Sequence, residues 1–121
     1  MEKFLDDMKS LLKQSGRFKF HEDGPKDKRG TEYSNRACMI ELEFDKNDVK
    51  ENIMSLTVEN YVETKLYNPE KICYVFCKEI KINQVYIKLF IKSNKNGKNV
   101  VCVSFHFVEH PIIYFPYAKK K

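Results

Sequence analysis

The fold is decided by three runs in the second half of the chain: ICYVFCKEI at 72–80, QVYIKLFIK at 84–92 and VVCVSFHF at 100–107. Each run is rich in β-branched and aromatic residues, which favour the pleated backbone of a strand. The connections between the runs are short, and the second contains Asn96-Gly97, a pair typical of tight turns. The three runs therefore predict an antiparallel meander.

Alternation along these strands predicts one apolar and one polar face for each. The polar faces are expected to carry Tyr86, Lys88 and Lys92 on the middle strand and Cys102, Ser104 and His106 on the last, whose apolar face holds Val101, Val103, Phe105 and Phe107. Because paired residues share a face, a loop of residues 95–97 with a left-handed bulge at Gly97 fits the alternation. This register places Tyr86 opposite His106 and Lys88 opposite Ser104, with facing Cβ atoms about 5 Å apart.

A phenol, an imidazole and an ammonium grouped in this way suit cleavage of the RNA phosphodiester bond. The reaction removes a proton from the ribose 2′-OH, stabilises charge on the phosphate and protonates the leaving 5′-oxygen. His106 is the candidate proton-transfer group, because an unperturbed imidazole titrates near pH ~6.5. Lys88 is the candidate for stabilising the phosphate, and Tyr86 for binding the phosphate or stacking on a base. The alternative for each is structural: a packing tyrosine, a solvated lysine and a histidine satisfied within the sheet.

The N-terminal part predicts a helix, a short strand and a loop within a single domain of residues 1–121. Apolar residues at helical spacing predict an amphipathic helix over 2–14, ended by Gly16 and packed on the sheet. Phenylalanines alternating with polar residues predict a short strand over 17–22. The charged, glycine- and proline-containing segment 22–32 predicts a mobile loop.

The segment before the meander gives two conflicting signals. Residues 38–44 alternate apolar and polar side chains, as a strand does. Asp45 and Asp48 then form a capping-box pattern, followed by apolar residues at helical spacing, which predicts a helix. Thr57 is expected to cap a further short turn that reaches Tyr61.

The charge of the chain is unevenly distributed. Residues 1–60 carry 11 Lys and Arg against 13 Asp and Glu, a balance of −2, whereas residues 61–121 carry 11 against 4, a balance of +7. A basic surface of this size attracts polyanions such as nucleic acids. The alternative is a solvated, lysine-rich surface that serves solubility alone.

Composition and motifs exclude several classes of protein. No apolar run reaches the ~20 residues of a membrane span, and the charged N-terminus lacks the features of a secretory signal, so we expect a cytoplasmic protein without membrane contact. The four cysteines are expected to be free thiols, because that compartment is reducing. Residues 106–110 fit the zinc-peptidase pattern H-x-x-E-H, but they leave a predicted strand and run into Pro111, whereas the motif needs a helix. We expect neither a metal nor a cofactor.

A family resemblance is carried by the same residues. LTVENY at 56–61, YVFCKEI at 74–80, QVYIKL at 84–89 and CVSFH at 102–106, with EHP and YFPY after them, resemble the MqsR-type toxins of bacterial type II toxin–antitoxin systems. The resemblance spans nearly the whole chain and is weakest before residue 36. It implies an α+β, RelE-like fold, in which a curved antiparallel sheet, built from the meander and the N-terminal strand, carries helices on one face. It also implies that 35–44 is helical.

The resemblance further implies an activity and a partner. Such toxins cleave mRNA without the ribosome and are neutralised by a cognate antitoxin, expected here to be a helix-turn-helix DNA-binding protein. Tyr86 and His106 fall on active-site positions of the family, although the short prototype has lysine where this chain has His106. Another lysine of the prototype falls near Glu63, a role for which Lys65 is the substitute.

The leading hypothesis is a toxin that acts as an mRNA endonuclease. Its predicted catalytic residues are His106, Tyr86 and Lys88, and its predicted RNA-binding residues are Lys78, Lys92, Ser104 and Lys65. One alternative is a non-catalytic module that binds RNA or the ribosome through the same basic sheet. Another is a protein-interaction domain whose C-terminal tail, residues 111–121, docks a partner.

Overall fold

The computed structural model of the protein describes residues 1–22 and 34–118. These residues form three α-helices and five strands: α1 (Glu2–Leu12), β1 (Phe18–Phe20), α2 (Asn35–Leu42), α3 (Lys46–Met54), β2 (Tyr61–Asn68), β3 (Lys71–Ile80), β4 (Asn83–Asn94) and β5 (Gly97–Phe107). A 3₁₀ turn at Val58–Asn60 precedes β2. The predicted loop 22–32, apart from its first residue, lies outside the described residues. No helix in the described ranges is long and apolar enough to cross a membrane.

The five strands form one mixed sheet in the order β1-β5-β4-β3-β2. The predicted meander is confirmed as β3, β4 and β5, which pair antiparallel. The expectation of a wholly antiparallel sheet is wrong, because β1 runs parallel to β5, with Phe18 beside Val100 and Phe20 beside Cys102. Alternating side chains look the same in either chain direction, so the pattern that predicted β1 carries no information about its orientation.

The edge strand β2 was not among the predicted strands. It pairs antiparallel with β3, and most of its residues are exposed. A strand with little buried surface lacks the apolar alternation by which strands are recognised in a sequence. Its pairing with β3 extends the meander to four strands.

The three helices share one hydrophobic core with one face of the sheet. The buried face of α1 consists of Phe4, Leu5, Met8 and Leu12, as its spacing predicts. These residues belong to the same core as Cys38 and Leu42 of α2, Val49 and Ile53 of α3, and Phe76, Ile87, Leu89 and Phe105 of the sheet. The opposite face is left without helices among the described residues, and its buried apolar residues include a small cluster of Cys73, Phe90, Val101 and Val103.

Helix α2 replaces the strand that alternation predicts for 38–44. The Ser34 hydroxyl caps the helix by accepting a hydrogen bond from the Ala37 N–H at 3.0 Å. The helix ends at Glu43, whose φ of 58° is left-handed. Burial decides between the two periods: Met39 is buried and Ile40 is 71% exposed, the reverse of what the alternating pattern requires. The helical interpretation implied by the resemblance is confirmed for Asn35–Leu42.

The pairing of β4 with β5 confirms the predicted register around Tyr86 and Lys88. A different turn and a bulge produce this register. Tyr86 pairs with His106 and Lys88 with Ser104, whereas Asn94 pairs with Gly97 across a two-residue turn. The predicted three-residue loop is therefore wrong. The register shifts by one residue between Lys88 and Leu89, which leaves Val103 as an extra, bulged residue.

The bulge also changes which residues of β5 face the helices. Cys102 packs in the helix-bearing core, while Val101 and Val103 lie in the cluster on the open face. The sequence predicts the opposite face for all three. That prediction assumes unbroken alternation, whereas the extra residue of a bulge interrupts it. Ser104 and His106 lie beyond the bulge and keep their predicted face.

Candidate functional site

An open cleft of about 530 Å³ lies on the helix-free face of the sheet. It is lined by Val62, Glu63, Lys65, Tyr86, Lys88, Ser104, His106, Glu109, His110 and Ile112. The cleft forms because the side chains of β3 at this point are short. Val75 and Cys77 of β3 pair with Lys88 and Tyr86 and are buried. The longer side chains of the neighbouring strands β2 and β4 therefore extend beyond them on either side.

Tyr86 and His106 form a stacked pair within the cleft. Their ring centroids are 5.0 Å apart and the ring planes differ by 15°. Tyr86 is partly exposed, whereas His106 has only 6% of its surface exposed. The sequence predicts that both rings project into solvent side by side. This expectation is wrong for His106, because the phenol ring covers the imidazole, which lines the cleft with little exposed surface.

The hydrogen bond of His106 defines its neutral tautomer. Nδ1 lies 2.9 Å from the carbonyl oxygen of Phe107. A carbonyl oxygen can only accept, so Nδ1 carries the proton and Nε2 is the basic nitrogen of the neutral ring. The ring therefore has a proton-accepting atom on the edge opposite the Phe107 carbonyl.

Two lysines flank the stacked pair. Lys88 donates a hydrogen bond from Nζ to the Tyr67 hydroxyl at 3.0 Å, on the β2 side of the cleft. Burial alone would lower the pKa of Lys65, but its interactions with Tyr86, Glu63 and Tyr67 raise that pKa above the ordinary value. Lys65 is therefore a full cation at neutral pH and lies beside the Tyr86 phenol.

Asn35 fixes the bulge that aims Ser104 and His106 into the cleft. This residue is fully buried, and its side-chain amide donates to the carbonyls of His21 at 2.7 Å and Val103 at 3.0 Å. Its side-chain oxygen accepts from the Phe105 N–H at 2.9 Å. Strand β1 ends at Phe20, and the carboxamide supplies the hydrogen bonds that β5 would otherwise lack at the bulge.

The C-terminal tail forms the end wall of the cleft. The side-chain amide of Gln84 donates to the Ile112 carbonyl and accepts from the Ile112 N–H, both at 2.8 Å. Tyr117 packs against Tyr61 of β2 with ring centroids 5.7 Å apart. The tail thus crosses the end of the sheet and presents Glu109 and His110 to the cleft.

Two of the predicted RNA-binding lysines lie elsewhere. Lys78 pairs with Val85 on the helix-bearing side, and its ammonium donates to Asn52 at 3.0 Å and to Ser55 of the α3 end. Burial lowers the pKa of Lys78. Lys78 therefore lies on the opposite side of the sheet from Tyr86 and His106. Lys92 shares the open face but lines a different cleft.

The cleft contains residues that the sequence did not single out as functional. Glu63 entered only as a charge reversal within the resemblance, and His110 only within the zinc pattern. Tyr67 does not line the cleft but accepts a hydrogen bond from Lys88 at its side; this residue carried no signal, because β2 itself was not predicted. Although His106, Glu109 and His110 line one cleft, the described residues contain no group of three side chains arranged to hold a metal ion.

Comparison of the chain with protein-family models, with curated proteins and with solved structures finds no match in any of the three.

Proposed function

We propose that the protein is the toxin of a type II toxin–antitoxin system and acts in the cytoplasm as a RelE-like, ribosome-independent endoribonuclease on mRNA. The observation that carries this proposal is the stacking of Tyr86 on His106 between two lysines in one cleft. Proton-transfer groups beside cations meet the needs of phosphodiester cleavage. The resemblance to MqsR-type toxins supports the same activity and adds a helix-turn-helix antitoxin as partner.

The proposed reaction uses the ribose 2′-oxygen as nucleophile. Nε2 of His106 takes the 2′-OH proton, the 2′-oxygen bonds to phosphorus, and the bond from phosphorus to the 5′-oxygen breaks. His110 gives a proton to that leaving oxygen, and Lys65 and Lys88 stabilise the charge on the phosphate. The products are a 2′,3′-cyclic phosphate and a 5′-hydroxyl.

The test is cleavage of single-stranded RNA by the purified chain, with DNA of the same sequence as the matched substrate. The proposal requires cyclic-phosphate ends on RNA and no cleavage of DNA, which lacks the attacking hydroxyl. His106→Ala should lower kcat by at least ~10²-fold while RNA binding persists. In cells, induction of the wild-type chain should arrest growth and fragment mRNA, and His106→Ala should do neither.

The burial of His106 favours a second candidate, a non-catalytic module that binds RNA or the ribosome. With 6% of its surface exposed, this imidazole has the environment of a structural histidine. In that case the wild-type chain binds RNA without cutting it, and His106→Ala changes stability more than affinity. The cleavage assay separates the two candidates.

A further inference from the structure

A second cleft lies on the open face of the sheet, on the far side of Lys88 from His106. We call it the distal cleft; its volume is about 700 Å³. It lies between the β2–β3 turn and the end of β4, and it is lined by Asn68, Pro69, Glu70, Lys71, Phe90, Ile91, Lys92 and Ser93. Two lysines, Lys71 and Lys92, against one carboxylate, Glu70, give this cleft a net positive charge at a point that the proposed reaction does not use.

Tyr67 joins the two clefts through two lysines. Its hydroxyl accepts from Lys88, and its ring centroid lies 5.3 Å from Nζ of Lys88 and 5.3 Å from Nζ of Lys71. Lys71 also lies 5.2 Å from the centroid of the Phe90 ring.

Two ammonium groups gathered at one aromatic ring repel each other, and cation–π attraction offsets only part of this cost. A phosphate beside Lys71 offsets this repulsion and forms a charge-assisted hydrogen bond with that ammonium. Tyr67 is 50% exposed, so its ring is also accessible to an unpaired base. Cations interleaved with exposed aromatic rings are typical of proteins that bind single-stranded nucleic acid.

The spacing along β4 favours a ligand with a regular repeat of charge. Lys88, Phe90 and Lys92 alternate on the open face, so the two lysines lie four residues, or about 13 Å, apart along the strand. This distance is close to two phosphate repeats of an extended nucleic-acid strand. An RNA duplex does not fit this arrangement as well, because its stacked bases are not available to Tyr67 or Tyr86.

We propose that the distal cleft is a second phosphate-binding subsite, in which Lys71 and Lys92 hold the backbone of single-stranded RNA about two nucleotides from the phosphate that is cleaved. This inference rests on the proposed function for the identity of its ligand. Its consequence is that substrate affinity depends on groups that take no part in bond cleavage. A substrate must therefore extend beyond the bond that is cut.

The experiment compares the double variant Lys71→Ala/Lys92→Ala with Lys95→Ala/Lys98→Ala, which removes the same charge from two exposed residues, one in the β4–β5 turn and one at the start of β5. The substrate is a single-stranded RNA of about twelve nucleotides, within the site sizes of single-strand binders. We expect the distal-cleft variant to raise KM about ten-fold with kcat retained. We also expect the slope of log Kd against log salt, measured in the His106→Ala background, to fall by about 1 to 2. The control should match the wild type, and unfolding curves of both variants confirm that they fold.

The outcomes separate this inference from the proposed function. If both double variants cleave and bind like the wild type, the second subsite is refuted and the endoribonuclease stands. If nothing is cut but the distal-cleft variant alone loses affinity for single-stranded RNA, the subsite is supported and the catalytic proposal is refuted. Equal loss of affinity for an RNA duplex of the same length contradicts the assignment to single strands. Absence of RNA binding by the wild type refutes both.

Discussion

Tyr86 covers the imidazole of His106, with 5.0 Å between ring centroids and 15° between ring planes. Tyr86 contributes to the cleft in two ways, one through its ring and one through its hydroxyl. Its ring shields His106 from solvent, while its hydroxyl interacts with Lys65 and contributes to the raised pKa of that lysine. Substitutions that remove the hydroxyl alone, or the whole ring, can therefore distinguish them.

Tyr86→Phe should retain the stack and lose the hydroxyl. We expect the free energy of unfolding to change by less than about 1 kcal/mol and the rate of RNA cleavage to fall about ten-fold, because one polar contact beside the phosphate is lost. Tyr86→Ala should lower the unfolding free energy by about 2 kcal/mol and cleavage by about 10²-fold. Urea unfolding and single-turnover cleavage measure the two effects. Tyr114→Ala, at a residue that is 72% exposed, is the control and should change neither.

Glu63→Gln should increase affinity for RNA. The carboxylate lines the cleft beside Lys65, where it repels phosphate and partly neutralises that lysine. We expect Kd to decrease about three- to ten-fold at low salt, and the difference to shrink as salt is raised. Fluorescence anisotropy with labelled RNA in the His106→Ala background measures this. Glu51→Gln makes the same charge change on the exposed surface of α3 and should have a much smaller effect; equal effects would show that only net charge matters.

Asn35→Ala should destabilise the protein and disturb the bulge in β5. The substitution leaves two carbonyls and one N–H without their side-chain partner in a buried place. We expect a loss of about 2–4 kcal/mol in unfolding free energy and faster amide exchange around Val103. Asn47→Ala, on the exposed surface of α3, is the matched control. Ordinary surface substitutions change the unfolding free energy by no more than about 0.5 kcal/mol. A loss of that size or smaller in Asn35→Ala would contradict the role given to Asn35.

Gln84→Ala should release the C-terminal tail without unfolding the sheet. The side chain makes two hydrogen bonds to Ile112, so we expect a loss of about 1–2 kcal/mol and roughly ten-fold faster proteolysis near Tyr114. Limited chymotrypsin digestion followed by mass spectrometry measures the release. Gln14→Ala, at an exposed residue, serves as the control. Unchanged proteolysis in Gln84→Ala would show that other contacts hold the tail.

Stability should fall above pH 9 because of buried thiols. Burial raises the pKa of Cys77 from 9.0 to about 11 and that of Cys38 from 9.0 to about 12. Between 9.0 and these values the unfolded chain loses protons that the folded chain keeps, so rising pH favours unfolding. Each such thiol contributes a slope of about 1.4 kcal/mol per pH unit. Urea unfolding under reducing conditions at pH 8 to 10 measures the slope.

The double variant Cys38→Ala/Cys77→Ala provides the control for this pH dependence. It should be less stable at pH 8 but show a shallower decline between pH 9 and 10. An unchanged slope would assign the decline to other titrating groups.

Much of the fold follows from local patterns that the sequence contains. The capping box at Asp45 and Asp48 forms as the pattern predicts, with bonds of 2.9 Å in both directions. The face shared by Tyr86 and Lys88 follows from alternation within one strand. Interactions of this kind join residues a few positions apart, so their geometry is set by backbone dihedrals alone.

The sequence by itself determined the meander, the amphipathic face of α1 and the shared face of Tyr86 and Lys88. Tertiary structure alone decided the parallel direction of β1, the edge strand β2, the covering of His106 and the bulge at Val103, without which the two-residue turn would not pair Tyr86 with His106. Each of these depends on a partner far along the chain, as Asn35 does when it bonds to residues 103 and 105. Periodicity reports which side of an element is apolar, but it does not report which distant group satisfies a hydrogen bond or which ring lies on top of another.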